Sequence, residues 1–368
     1  MPLLPPLTYE KIVRKLKGIF LAKVENTPLQ FRSYAAYWHY KLYGSLQENT
    51  IPGTGLQHYI AERPNYGAGI GHQLANWNAG LYYAQLFKQG FAHFPFSNKK
   101  WEFFLGFGEN ETDANALLRD RSFKKVRLPR FNSESETERV LIDKIIHSYR
   151  SKKVLFILAQ DQSYMRQCDT APFLSAKFFN ATARKDNQLF YDGANFNIAV
   201  HIRRGDIAAS KNTASTDWEE RWLNNDYYVA IVKQVLAVLN THQNVHIYLF
   251  SQGVKEDFAE FLQFSNMHYC LDVNAYDSFL HMVYAEMLIS SKSSFSYKPA
   301  LLSKGIKICP GNFWHSYPAS ADFVLAGDNA SFDHKKLEEA CLFANAEPAR
   351  VAMLSGDIIN NQANKYDG

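Results

Sequence analysis

Cysteine is scarce in this chain and carries no pattern. Cys168, Cys270, Cys309 and Cys341 are the four in 368 residues, and no two stand as Cys-x-x-Cys. No histidines cluster with them, which excludes a zinc-ligand set and a disulfide framework and leaves buried thiols as the expectation. Long apolar runs are missing as well. Nothing near the N-terminus has the length of a secretory core or a membrane span, so a cytoplasmic protein, bacterial or viral, is expected. Excess charge of one sign is absent: 40 Lys and Arg against 36 Asp and Glu leave +4, too little to argue for a nucleic-acid partner. No Asp-x-Asp occurs, so the sequence offers no metal-chelating diphosphate motif and no metal ligands are expected. No Gly-Lys-Ser/Thr follows a glycine-rich stretch, which excludes a Walker loop. Sequons at Asn110, Asn180 and Asn329 are as frequent as chance allows and do not place the chain in a secretory lumen.

What is present describes a folded protein with room for two domains: 46% hydrophobic and 15% aromatic residues, at a mean hydropathy of −0.31. Near the start, Tyr9, Ile12, Val13, Leu16, Ile19, Phe20 and Leu21 recur at helical spacing, with Lys11, Arg14, Lys15, Lys17 and Lys23 on other faces. Such a basic amphipathic helix either packs on its own domain or lies peripherally on an anionic membrane. Further on, Asn65-Tyr66-Gly67-Ala68-Gly69-Ile70-Gly71-His72-Gln73-Leu74 crowds glycines before a helical pattern, so that backbone amides can meet an anion. The Gly-x-Gly-x-Gly spacing and the lack of an acid between Phe91 and Ser97 argue against a dinucleotide fingerprint. Residues 97–150 read as polar loops around a short strand near Val126 to Leu128. Lys153 to Ala159 reads as a buried strand, followed by a helix from Ala171 to Arg184.

From residue 196 onward apolar strands and helices alternate. Strands are expected over 196–202, Val245 to Phe250, Met267 to Leu271 and Ile306 to Cys309. Helices are expected over 226–240, 254–264, 276–288 and 296–303, with a last one from Lys335 to Ala344. This alternation predicts a parallel, doubly wound sheet whose ligand lies outside the carboxyl ends of the strands. Arg203, Arg204, Ser251 and Asp272 fall there. The central stretch, Ala199-Val200-His201-Ile202-Arg203-Arg204-Gly205-Asp206, delivers two guanidinium groups from the end of an apolar run, with a glycine to turn on. Arginine holds oxyanions in two-point fashion and keeps its charge at any working pH, so the arrangement suits a phosphate. The bland alternative is a strand end with a solvated salt bridge. Downstream, Asp277 opens a helix and Ser293-Ser294-Phe295-Ser296 opens another. Asp277 can accept from a purine's N1 and N2 hydrogens or simply cap its helix, and the serines can donate to phosphate oxygens.

The string His201-Ile202-Arg203-Arg204-Gly205-Asp206 resembles the His-x-Arg-Arg-x-Asp motif of the fucosyltransferase superfamily, which includes α1,2-, α1,6- and protein O-fucosyltransferases. Gly69-Ile70-Gly71-His72-Gln73-Leu74 resembles its N-terminal glycine loop, and Asp277 through Ser296 its last motif. His72 departs from that loop, and Gln252-Gly253 stands where relatives often carry Asp. The resemblance implies an α/β chain of the GT-B class, two Rossmann-like domains facing a donor/acceptor cleft. It also implies an inverting, metal-independent transfer of L-fucose from GDP-fucose to a hydroxyl of a glycan or lipid-linked oligosaccharide, in polysaccharide biosynthesis, with no cofactor beyond the donor substrate. The domains are expected at 1–190, an acceptor-side domain with the amphipathic helix; 191–330, the nucleotide-sugar domain; and 331–368, a helix and tail.

The residues expected at the donor are Gly69, Gly71, His72, Gln73, His201, Arg203, Arg204, Asp206, Ser251, Asp277, Ser293, Ser294, Phe295 and Ser296. One arginine would clamp the β-phosphate and the other support the loop, and Arg204 is the expected catalytic one. An inverting transfer needs a base within hydrogen-bond reach of the acceptor hydroxyl. Asp206, Asp217, Glu219 and Glu220 follow the motif, and Asp217 and Glu219, flanked by Trp218 and Trp222, are chosen; a solvated acidic loop is the alternative. His201 reads as a neutral, structural imidazole. Alternatives to the fucosyl donor are another nucleotide sugar, a nicotinamide-dependent oxidoreductase, and a nucleotide- or glycan-binding protein without catalysis.

Overall fold

The computed structural model describes residues 23, 24, 27, 29–47, 57–159, 162, 167–205, 220–239 and 244–346. The chain forms two compact units. The first comprises residues to Glu102 and from Phe107 to Gln167, the second Phe103–Gly106 and everything from Cys168.

In the first unit five parallel strands, β1 (His58–Ala61), β2 (Gly90–His93), β3 (Thr112–Asp113), β4 (Phe123–Arg127) and β5 (Lys153–Ile157), lie in the order β3-β2-β1-β5-β4. Every residue of β5 after Lys153 is buried. Val154 and Phe156 face one cluster, with Ile142, Ile145 and Ile146, while Leu155 and Ile157 face another, with Phe94 and Ala114. A parallel sheet covered on both faces reads as a continuous apolar run for this reason. Helix α1 (Ala35–Gln47) precedes the sheet and α2 (Ile70–Leu86) joins β1 to β2.

Residues 97–150, expected as loops around one short strand, hold three helices: α3 (Lys99–Leu105), α4 (Ala114–Arg119) and α5 (Glu136–His147). Two of the polar residues between them are caps. Asp113 accepts from the Asn115 amide at 2.7 Å, and Ser135 accepts from that of Glu138 at 3.3 Å. Glu136 and Glu138 sit in the first turn of α5, where negative charge favours the helix.

The second unit has six parallel strands, β6 (Phe196–His201), β7 (Val245–Ser251), β8 (Met267–Leu271), β9 (Met287–Ile289), β10 (Ile306–Pro310) and β11 (Phe323–Ala326), in the order β11-β10-β9-β6-β7-β8. The chain winds outward from β6 through β7 to β8, returns to place β9 on the other flank of β6, and winds outward again. Ile198 thus pairs with Ile247 on one side and Met287 on the other. The order reverses between β6 and β9. Ile198 and Val200 pack toward α7 (Asn225–Leu239) and Ala199 toward α8 (Ala275–Tyr284) and α9 (Ser294–Leu302). The second unit also holds α6 (Ala171–Phe179) and α10 (His334–Ala346).

Two Rossmann-like parallel α/β units are the pair expected. Three details differ. The helix expected over 276–288 stops at Tyr284 and gives way to β9, whose three buried residues continue the same apolar run, so that periodicity does not separate them. The helix expected over 254–264 is a 3-10 segment, Lys255–Gln263, broken at Phe258. The division falls at Gln167 rather than 190, and the described part of the expected separate tail belongs to the second unit, because Leu337 and Ala340 enter its core. The basic N-terminal helix lies outside the described residues.

Candidate functional site

The carboxyl ends of β6 and β9 border the reversal point of the second sheet, the place where ligands of such sheets bind. From β6 come His201, Arg203 and Arg204; from β9 comes Ser290-Ser291-Lys292-Ser293. His201 is buried, with Nδ1 2.8 Å from Ser291 Oγ. Burial, together with the Arg203 and Arg204 charges, lowers its pKa to about 3, so the imidazole is neutral as expected. Arg203 Nη1 donates to Ser293 Oγ at 3.3 Å. Ser293 is also the N-cap of α9, accepting from the Phe295 amide at 3.2 Å. One hydroxyl therefore ties a guanidinium to the amide-rich start of a nine-residue helix, two donors of the kind an oxyanion needs.

Arg204 turns elsewhere. Its guanidinium carbon lies 4.0 Å from the Trp222 ring centroid, Nη2 donates to Asn225 Oδ1 at 2.7 Å, and Nη1 donates to the Arg203 carbonyl at 2.9 Å. Asn225 in turn donates to the Asp257 carbonyl and to Glu260. Arg204 is thus held as a cross-brace of the loop, and Arg203 is the arginine at the reversal point. Gly205 has φ +59°, a left-handed conformation that favours glycine, and a Cβ there would displace the end of the Gln252 side chain. Ser251 Oγ donates to the Ile202 carbonyl at 2.8 Å, locking the ends of β6 and β7 together.

Asp277 is exposed in the first turn of α8, but the cap is Asn274, whose Oδ1 accepts from the amides of Tyr276 and Asp277. Asn274 Nδ2 donates to the Asp277 carboxylate at 2.6 Å. One turn on, His281 has a defined tautomer: Nδ1 donates to the Asp277 carbonyl and Nε2 accepts from the Phe190 amide. On α9, Ser296 is fully buried, its Oγ accepting from the Ser291 amide. The Phe295 ring lies 5.6 Å from His201 and 5.9 Å from Phe279. Ser294 Oγ donates to His315 Nε2 at 2.9 Å, which also accepts from Trp314 Nε1 at 3.2 Å.

Two cavities open beside these loops. One, of about 550 Å³, is bordered by Arg204, Gln252, Asp257 and Glu260. The other, of about 850 Å³, is bordered by Glu220, Trp222, Lys292, Trp314 and Asp328. Trp314 and Asp328 were missed in the sequence, although they follow β10 and β11 as Arg203 follows β6, and the same rule would have found them.

In the first unit Gly69 is the N-cap of α2 and supplies no capping side chain, and Gly71 is buried in the first turn beside the half-buried His72. Gln73 is structural: its Nε2 donates to the Ala68 carbonyl and Ser97 Oγ, and its Oε1 accepts from the Ser97 amide. Asp206, Asp217 and Glu219 lie outside the described residues; of the acids after the motif Glu220 is described. Among the described residues no group of three or more His, Cys, Asp or Glu is arranged to hold a metal, and no helix is long and apolar enough to cross a membrane.

No family model matches this chain, and no curated protein does. Among solved structures it is similar to a mutant of FUT1 from Arabidopsis thaliana in complex with GDP, at 13% identity and TM-score 0.39 over 83% of this chain and 80% of that one. It is similar to the α-1,6-fucosyltransferase NodZ co-crystallized with GDP, at 13% identity and TM-score 0.40 over 71% and 97% of the two chains. POFUT1 in complex with GDP-fucose is similar at 12% identity and TM-score 0.36, over 72% and 99%. Likeness at this level assigns no residue, and the reading of the site rests on its own geometry.

Proposed function

We propose that the second unit binds the diphosphate of a nucleotide sugar and that the chain is an inverting glycosyltransferase using GDP-fucose and a glycan hydroxyl. The observation that carries the reading is Arg203 at the sheet's reversal point, sharing Ser293 with the start of α9. The motif resemblance of His201 to Asp206 and of Asp277 to Ser296 supports the identity of the donor. In the reaction the bond between the sugar's C1 and the β-phosphate oxygen breaks as the acceptor oxygen bonds to C1 from the opposite face. The acceptor's proton passes to a carboxylate of the loop after the motif. Negative charge growing on the departing diphosphate is met by Arg203 and the α9 amides, which act where charge develops. Arg204 serves by positioning: with Trp222 and Asn225 it fixes the loop that presents Arg203.

Calorimetry against GDP, UDP, CMP and NADH tests the reading, with transfer from GDP-fucose followed alongside. Selective GDP binding is expected. Arg203→Ala is expected to weaken it by about 10- to 100-fold, the loss of one charge-assisted hydrogen bond, and to lower turnover by about 10². Arg204→Lys, which keeps the charge and loses the flat stack on Trp222, is expected to lower turnover more than GDP affinity. Binding of NADH or UDP in place of GDP, or unchanged GDP affinity in Arg203→Ala, overturns it.

A further inference from the structure

The larger cavity is not used by the donor chemistry above, and its walls are of a different kind. Trp222, Phe313 and Trp314 supply flat apolar faces, while Glu220, Asn312 and Asp328 supply polar groups at its edges. At about 850 Å³ it is within the usual range of ligand sites, about 300–1,000 Å³. Its charge does not suit a phosphate: Lys292 is paired with Asp328 at 2.9 Å, and Glu220 adds a further negative charge. Asn312 Nδ2 donates to the second Asp328 oxygen at 3.0 Å, so this carboxylate is held in place. The Trp314 ring is held too, by its hydrogen bond to His315 and by the Arg221 guanidinium 4.6 Å from its centroid. Tyr227, 6% exposed, borders the same cavity, and its buried hydroxyl has no hydrogen-bond partner within the protein.

Rigid aromatic faces beside fixed carboxylates and a carboxamide match one ligand chemistry well. A pyranose has an apolar C–H face and a girdle of hydroxyls that both donate and accept. We propose that this cavity is a carbohydrate subsite. It takes a neutral sugar unit stacked on the tryptophans, with hydroxyls donating to Glu220 and Asp328 and accepting from Lys292 and Asn312. Placing that sugar as the acceptor rests on the transferase reading; the binding itself does not. Trp222 links the two sites, because the ring that borders this cavity also carries Arg204.

The test is saturation-transfer NMR and calorimetry of the full chain with four neutral β1,4-linked tetrasaccharides, of glucose, N-acetylglucosamine, mannose and xylose, with and without saturating GDP. At least one is expected to bind with GDP present. Trp314→Ala should weaken that binding about tenfold or more, the contribution of one aromatic face. Glu220→Gln, which changes no volume and guards against a folding artefact, should weaken it several-fold while GDP affinity stays as in the parent. The proposal falls if no tetrasaccharide binds, if neither substitution changes binding, or if GDP displaces the sugar competitively. Sugar binding without any GDP binding would instead overturn the donor reading and leave the subsite standing.

Discussion

At the scale of single residues, the site is built by what each side chain can no longer do. His201 cannot take up a proton, since burial beside two guanidinium groups lowers its pKa to about 3. The unfolded chain, with an ordinary histidine near 6.5, binds that proton as the pH falls, so the stability linked to His201 is complete above 6.5 and is lost progressively toward 3. Its share amounts to about 2 kcal/mol between pH 7 and 5. Urea melts at the two pH values are expected to converge in His201→Gln relative to the parent, and the His201 ring protons should not titrate between pH 8 and 5 by NMR. Gly205 cannot gain a side chain. Gly205→Ala imposes a left-handed conformation on a substituted residue, costing about 1–2 kcal/mol, and drives the new methyl into Gln252. A lowered urea midpoint with weaker GDP binding is the expected result. The sequence made the neutral role of His201 legible from its place before a strand end. The split between Arg203 and Arg204 was not legible, because it depends on Trp222 and Asn225, well separated in sequence, standing next to the second arginine, which residue spacing does not encode.

At the scale of elements, caps fix the loops that follow the strands. Ser293 both caps α9 and receives Arg203, so Ser293→Ala is expected to cost about 1 kcal/mol of stability and also to weaken GDP several-fold. Ser135→Ala removes a cap of the same kind from α5 in the other unit. It should lower the melting midpoint similarly and leave GDP binding unchanged; a like loss of GDP affinity in both would make the Ser293 effect one of general stability. Long apolar strands such as β6 and β7 could be read directly, since a doubly covered strand must be apolar throughout. Short ones such as β9 and β11 could not. Three or four residues carry no period of their own, and only their pairing with longer neighbours defines them.

For the whole molecule, alternation from residue 196 onward predicted the winding of the second unit and so the position of its reversal point, which follows from strand order alone. The division of the chain was not predictable in the same way. Phe104, far upstream, stands edge-on to Phe178 and Phe279 and gives its carbonyl to Arg184, while Gly106, at φ +73°, lies against Ala181. No composition change marks these four residues as members of a unit that resumes at Cys168. Phe104→Ala is expected to cost about 2 kcal/mol, less than a fully buried phenylalanine, and to raise amide hydrogen exchange in α6 and α8 before β1 or β5. Uniform exchange across both units would count against the assignment of Phe103–Gly106 to the second.

The same segment bears on how such a protein is made and inherited. Phe104 leaves the ribosome well before Phe178, Arg184 and Phe279 exist, so it waits without its partners while the first unit is still being completed around it. Nor does one cut separate the two units: a gene broken at Gln167 would hand the second unit on without the phenylalanine that stands edge-on to Phe178 and Phe279. Recombination that trades second units between related genes therefore has to carry an island of four codons across with the rest, or start from a destabilised fold.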